Sequence, residues 1–234
     1  MKVFAKLSLA GLIVATSFPL HETHAANNKS CTIHVSNKTI SKINGIPIAN
    51  KQYYMSRNYN PGADKTMIKW YNRMKADARK QGINLEIVGQ TGAYGYRSYA
   101  TQQYLYNSYI ASYGQAYANR ISARPGTSEH QLGLAMDIKD GTNYGTLSTS
   151  FEYTAASKYL QKNAHKYGFI IRYLKGKEQI TGFMYEPWHI RYVGRTHAAR
   201  INYNHVTLEE YFGIQGKKRL SSGKHTVRGV ICKY

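Results

Sequence analysis

Three observations predict an α+β fold. The 234 residues are 42% apolar, enough for one core of ordinary size. Stretches of helical periodicity are followed by short strand-like runs, without the regular alternation that builds a doubly wound sheet. No internal repeat, low-complexity tract or interdomain linker divides the chain, so a single domain is expected.

The elements follow in order. Residues 1–25, "MKVFAKLSLAGLIVATSFPLHETHA", have a basic start, a short apolar run and a small-residue end. They predict a signal peptide cleaved after Ala25, because the run is too short to span a bilayer. The next stretch, "CTIHVSNKTISKINGIPIANKQYY", alternates β-branched and polar residues, with turns at Ser36-Asn37-Lys38 and Asn44-Gly45. This predicts an arm of short strands over residues 26–58. From Asp64 to Gln81, Met67, Ile68, Tyr71, Met74 and Ala78 share one helical stripe, with Asp64 as N-cap and Gly82 beyond the end. Leu85 to Val88 reads as a strand.

A second helix runs from Tyr99 to Gly114 with Ser98 placed to cap it, and its tyrosines are expected to be a packing surface. A third begins near Phe151 and ends near Gly168, followed by a strand from Phe169 to Tyr173. "HIRYVG" alternates as another strand. Thr207-Leu208-Glu209-Glu210 has the form of a capping box opening a short helix. The last stretch, residues 215–234, reads as a basic tail and is the most linker-like segment.

Charge and cysteines bound the setting. Lys and Arg number 32 against 12 Asp and Glu, a formal charge of +20, which falls by one when the signal, with two lysines and one glutamate, is removed. For an exported protein the nearest polyanion is a cell surface, so anionic wall polymers are the expected electrostatic partner. A nucleic-acid partner is not expected; it would call for basic residues interleaved with stacking aromatics along one element. No segment after the signal is long and apolar enough to cross a bilayer. The two cysteines, Cys31 and Cys232, stand near the two ends of the mature chain, and an exported setting predicts a disulfide between them.

The chemistry is concentrated in two stretches. One contains Ser128-x-His130-x-x-Gly133-x-Ala135-x-Asp137; the other, fifty residues later, is "YEPWHIRYVG", with Glu186 three residues before His189. Two imidazoles and a carboxylate suit zinc and leave a fourth position open to water, and a nearby unbound carboxylate can take that water's proton. Gly133 and Ala135 are small enough to let the backbone crowd the metal. Arg191, two residues after His189 and on the same side of a strand, is expected to hold a carboxylate near the site. Nucleophile elbows of the GxSxG type and phosphate loops are absent, and neither cysteine lies near these stretches.

With "NGIPIANKQYYMSRNYNPG", "GYRSYATQ", "GTSEHQLGLAMDI" and "MYEPWHIRYVG", the chain resembles the zinc D-alanyl-D-alanine carboxypeptidases of the VanY type, relatives of the lysostaphin-like peptidases. The resemblance covers roughly residues 44–213. It implies a small antiparallel sheet flanked by helices, with zinc in a cleft on the sheet, and a peptidase domain over residues 59–214. It assigns His130, Asp137 and His189 to the metal and Glu186 to the general base. It also places Arg97 against the scissile carbonyl or a substrate carboxylate, with Ser128 and Gln102 hydrogen-bonding the peptide. Tyr94 stands where the family usually has serine, and "KQYYMSR" replaces a leucine-proline pattern; both departures are expected at the rim of the cleft.

The implied activity is removal of the terminal D-alanine from peptidoglycan stem peptides through the D-Ala-D-Ala bond. The alternatives are an L,D-carboxypeptidase or endopeptidase on the same peptides, or a wall-binding protein without turnover.

Overall fold

The computed structural model describes residues 30–89, 93–214, 218–228 and 231. The predicted signal peptide and Cys232 lie outside the described residues. Two four-stranded antiparallel sheets organise the chain. The terminal sheet has the order β3-β2-β1-β8, from β1 (Ser30–Asn37), β2 (Ser41–Ile43), β3 (Ile46–Pro47) and β8 (Gly223–Arg228). The central sheet has the order β4-β5-β7-β6, from β4 (Glu86–Ile87), β5 (Ala135–Lys139), β7 (Glu186–Tyr192) and β6 (Phe169–Tyr173).

The strand arm forms where its alternation places it. Cys31, Ile33 and Val35 are buried while Thr32 and His34 face out. Asn44 and Gly45, both with positive φ, turn the chain so that Ile43 pairs with Ile46. The segment read as a tail behaves differently from expectation. Residues 223–228 add β8 to the arm, with Cys31 opposite Val227 and His34 opposite Lys224. Its alternation spans six residues, and its pairing partner lies at the other end of the chain. At that junction, Cys31 is buried and its Sγ lies 3.6 Å from the carbonyl oxygen of Ile231.

The helices follow their caps. In α1 (Lys65–Arg79), Asp64 accepts a hydrogen bond from the Met67 amide, and Met67, Tyr71, Met74 and Ala78 are buried. In α2 (Tyr99–Ile121), Ser98 accepts from the Thr101 amide, but the helix continues seven residues past the expected end at Gly114, which has φ 79 and kinks it. Only Tyr106 among its tyrosines is buried; Tyr104, Tyr113 and Tyr117 are exposed, so the stripe is not simply a packing surface. The expected third helix divides into a 3₁₀ turn over 149–153, α3 (Ala155–Asn163) and a second 3₁₀ turn over 164–167. A four-residue helix, α4 (Glu178–Thr181), and then α5 (Arg195–Asn204) and α6 (Leu208–Phe212) complete the fold, with the Thr207/Glu210 capping box formed.

The central sheet separates packing from chemistry. On one face Met136, Ile138, Trp188, Ile190 and Phe169 join α1 and α3 in the larger core. Since successive side chains alternate, Asp137, His189 and Arg191 project from the other face, and Arg172 from β6 joins them. Beyond this polar strip a second core, with Ile33, Val35, Ile43, Ile170, Val193, Tyr211 and Phe212, packs the terminal sheet onto α5 and α6. Among the described residues, no helix is long and apolar enough to cross a membrane.

Tyr94 is not at the cleft rim, and the "KQYYMSR" segment divides: Lys51 reaches the cleft, its Nζ 4.7 Å from the ring centroid of the lining residue Phe183, while other side chains turn inward. Tyr94 packs on the larger core, edge-to-face with Tyr71 at 6.4 Å between ring centroids, and Tyr53 and Met55 are buried. Tyr53, Met55 and Tyr94 fill core volume, while Tyr54 stays exposed.

Candidate functional site

The two motifs meet through sheet register. Asp137 on β5 and His189 on β7 are directly paired, which brings the His189 Nδ1 to 3.2 Å from the Asp137 Oδ1. Glu186 requires a further device, because residues three apart in a regular strand face opposite sides. The β6–β7 register shifts between Ile171 and Tyr173, whose partners are Ile190 and Glu186. The extra length of β7 contains Pro187, which has no amide hydrogen to give a ladder. This bulge turns Glu186 to the side of His189, with its Oε2 3.6 Å from His189 Nδ1.

His130 arrives from the turn before β5. Its Nδ1 lies 2.8 Å from the Gly95 carbonyl oxygen, leaving Nε2 3.3 Å from Asp137 Oδ2. Gly95 itself has φ +76, and a Cβ there would lie 2.9 Å from the Ala135 carbonyl; only glycine lets this loop approach β5 and reach the imidazole. Gly133 has a different role from crowding a metal. With φ +72, its Cβ would lie 2.0 Å from the Gly62 carbonyl oxygen, so it seats the motif against the segment leading into α1.

One ligand atom from each of His130, Asp137 and His189 lies within 4.8 Å of the others, and all three residues are buried. Asp137 Oδ1 is a buried oxygen with no hydrogen-bond partner among the described residues. Two imidazole nitrogens and one carboxylate, with a buried oxygen of that carboxylate left unsatisfied, fit a zinc ion. The electrostatics agree: burial works against the charge on Asp137, yet His130 and His189 hold its carboxyl well below the usual range. Burial lowers His130. For His189, the Asp137, Glu129 and Glu186 carboxylates outweigh burial and raise the imidazole to about 9. Burial, reinforced by Asp137, pushes Glu186 up to about 8 despite His189 and Arg97.

The other predicted residues divide. Arg97 and Ser128 line the same cleft, a space of about 630 Å³ that also contains Tyr109, Tyr113, Tyr173 and Trp188. One Arg97 nitrogen is 3.4 Å from Asp137 Oδ2, and another donates to Gln102 Oε1 at 2.9 Å. Gln102 is wholly buried and donates to Ser122 Oγ and the Ala123 carbonyl; its amide is spent on holding Arg97. Glu129, which the sequence reading did not single out, lies behind His189, with Oε2 3.6 Å from His189 Nε2. The carboxylate that Arg191 was expected to hold is this one, at 2.6 Å.

The VanY family profile, described as D-alanyl-D-alanine carboxypeptidase, matches residues 61–195, a span containing every one of these site residues. The chain belongs to the VanY family. YodJ of Bacillus subtilis, a putative carboxypeptidase, is 41% identical over 188 residues, covering 72% of this chain and 67% of YodJ. The solved LdcB LD-carboxypeptidase is similar at a TM-score of 0.69 and 38% identity, over 80% of this chain and 98% of LdcB. The vancomycin-resistance D,D-pentapeptidase VanY, solved in complex with Zn(II), is similar at 0.60 and 33%, over 70% of this chain and 96% of that one. This VanY-family chain is a zinc metallocarboxypeptidase, with His130, Asp137 and His189 as the cluster fitted to the ion.

Proposed function

We propose that the protein removes the terminal D-alanine from peptidoglycan stem peptides by hydrolysing the D-Ala-D-Ala bond. The observation that carries the reading is Glu186, held 3.6 Å from a metal-ligating imidazole and outside the ligand set itself. When bound, zinc supplies a Lewis acid that activates water and polarises a carbonyl. Glu186 accepts the proton of the attacking water and returns it to the leaving amine. Burial displaces its carboxyl upward in the metal-free protein, and its place outside the ligand set leaves it free to take and return that proton. Arg97, braced by Gln102, places fixed positive charge on the cleft wall, where it meets developing negative charge or the substrate's terminal carboxylate. Ser128 contributes a hydroxyl for the peptide.

The test is Glu186→Gln in zinc-loaded protein. Turnover is expected to fall by about two to four decades with zinc retained; near-normal turnover would overturn the assignment. A second reading, cleavage of the L,D-bond of tetrapeptides, is favoured by the greater similarity and coverage of LdcB relative to the D,D-pentapeptidase.

The same proposal includes export through residues 1–25, a Cys31–Cys232 disulfide, and attachment to anionic wall polymers. The Ile231 carbonyl beside Cys31 Sγ supports the disulfide. Support for attachment comes from the outer face of the terminal sheet, where Lys42, Lys224 and Arg228 are exposed. No Asp or Glu occurs in residues 26–63 or after Glu210. Binding of this kind is screened by salt, so release from purified walls by rising ionic strength is expected.

A further inference from the structure

Behind the metal cluster lies a buried set of charges that the hydrolytic reaction does not use. The side chains of Glu129, Arg172 and Arg191 are 0% exposed. Glu129 Oε1 accepts from Arg172 Nε at 2.8 Å and from Arg191 at 2.6 Å. Arg172 also donates twice to Glu209, at 2.8 and 2.6 Å, and Glu209 accepts from Asn50. Arg191 donates in addition to the Pro47 carbonyl at 2.5 Å. The cluster therefore ties the turn before β5, β6, β7, α6 and the end of the strand arm to one carboxylate.

That carboxylate has one oxygen left. Glu129 Oε2 and His189 Nε2 are both buried, neither has a hydrogen-bond partner within normal distance among the described residues, and they face each other at 3.6 Å. We infer that Glu129 is a positioning residue that sets the tautomer of His189: it holds the proton on Nε2 and so keeps the Nδ1 lone pair directed at the cluster of His130 and Asp137. A neutral imidazole carries one proton, and the nitrogen that donates to a carboxylate cannot be the metal ligand. The two guanidinium groups matter because they occupy Oε1 and leave Glu129 a single direction in which to accept. Arg172 and Arg191 thus act on the metal through Glu129.

The inference rests on the zinc reading of the three ligands, and the test separates the two. Glu129→Gln keeps shape but turns its amide oxygen toward the two arginines, so its NH₂ group meets His189 Nε2 and favours the wrong tautomer. Glu209→Gln perturbs the same Arg172 without touching His189. Zinc affinity is measured by competition with a chromophoric chelator on residues 26–234. The expected result is a loss of about 10- to 100-fold for Glu129→Gln, with Glu209→Gln within about threefold of the parent. Equal effects from both variants, or none from Glu129→Gln, would overturn the inference while leaving the zinc site intact. A parent protein that takes up no zinc would overturn both. Should Glu129→Gln fail to fold, ¹⁵N-histidine spectra of the zinc-loaded parent decide: a proton on His189 Nε2 with zinc on Nδ1 is expected, and the reverse would refute it.

Discussion

Replacing Arg172 with methionine removes the centre of the buried charge cluster while keeping most of its volume. Three hydrogen bonds of 2.6 to 2.8 Å to two carboxylates are lost. Glu129 keeps Arg191, but Glu209 is left, among the described residues, with Asn50. Breaking a buried ion pair on one side costs about 3–5 kcal/mol, because the remaining charge stays buried without compensation. At about 2–4 °C per kcal/mol for a domain of this size, the midpoint should fall by roughly 6–20 °C. The loss should also depend on pH. Burial alone would raise the Glu129 carboxyl, but Arg172 and Arg191 hold it well below the ordinary range. A depressed carboxyl stabilises above its unfolded value of about 4.3, and that stability is lost as pH falls through the folded value. Removing Arg172 forfeits part of the depression, so the gap between parent and variant should be full at pH 7 and smaller at pH 3.5. Urea unfolding at both pH values measures it. A gap below about 1 kcal/mol at pH 7, or one that does not narrow in acid, would refute the reasoning.

Two further outcomes follow from geometry and charge. Gly133→Ala should destabilise by about 2–4 kcal/mol, combining left-handed backbone strain with a backbone clash. Gly45→Ala, with a similar φ of +82 but nothing within 4 Å of the new carbon, should lose only about 1 kcal/mol; equal losses in urea unfolding would remove the clash from the explanation. Zinc uptake at pH 7 should release about one proton or more per ion. In the metal-free protein His189 carries a second ring proton below about 9 and must lose the one on Nδ1 to ligate, so zinc affinity should rise with pH up to that value. Calorimetry in two buffers of different ionisation enthalpy counts the protons, and a count of zero would contradict the assignment.

The sequence made the ligands legible because they are close in the chain, in two motifs whose residue types have few other joint uses. Helix starts were equally plain, since Asp64, Ser98 and Thr207 each cap the backbone locally. Less legible was whatever depends on pairing at a distance. β8 finds its partner almost two hundred residues away, and five-residue β5 is too short to show a period. α5 was missed as well, since only Ala198 and Ile201 of its ten residues are buried. Glu129 looked like one more polar residue beside a ligand; only the fold shows that its wholly buried carboxylate meets Arg172, Arg191 and His189. Gln102 likewise matched a substrate-binding position, but burial turned it into the brace for Arg97. The bulge at Pro187 explains why Glu186 and His189, at a spacing unsuited to one strand face, work together.

The most direct measurement is mass spectrometry of muropeptides ending in D-Ala-D-Ala, and of the matching tetrapeptides, after digestion by zinc-loaded residues 26–234 with a chelator control. The account predicts chelator-sensitive loss of one alanine from the pentapeptide. Loss from the tetrapeptide alone would move the cut to the L,D-bond, and no loss from either would contradict the proposed activity.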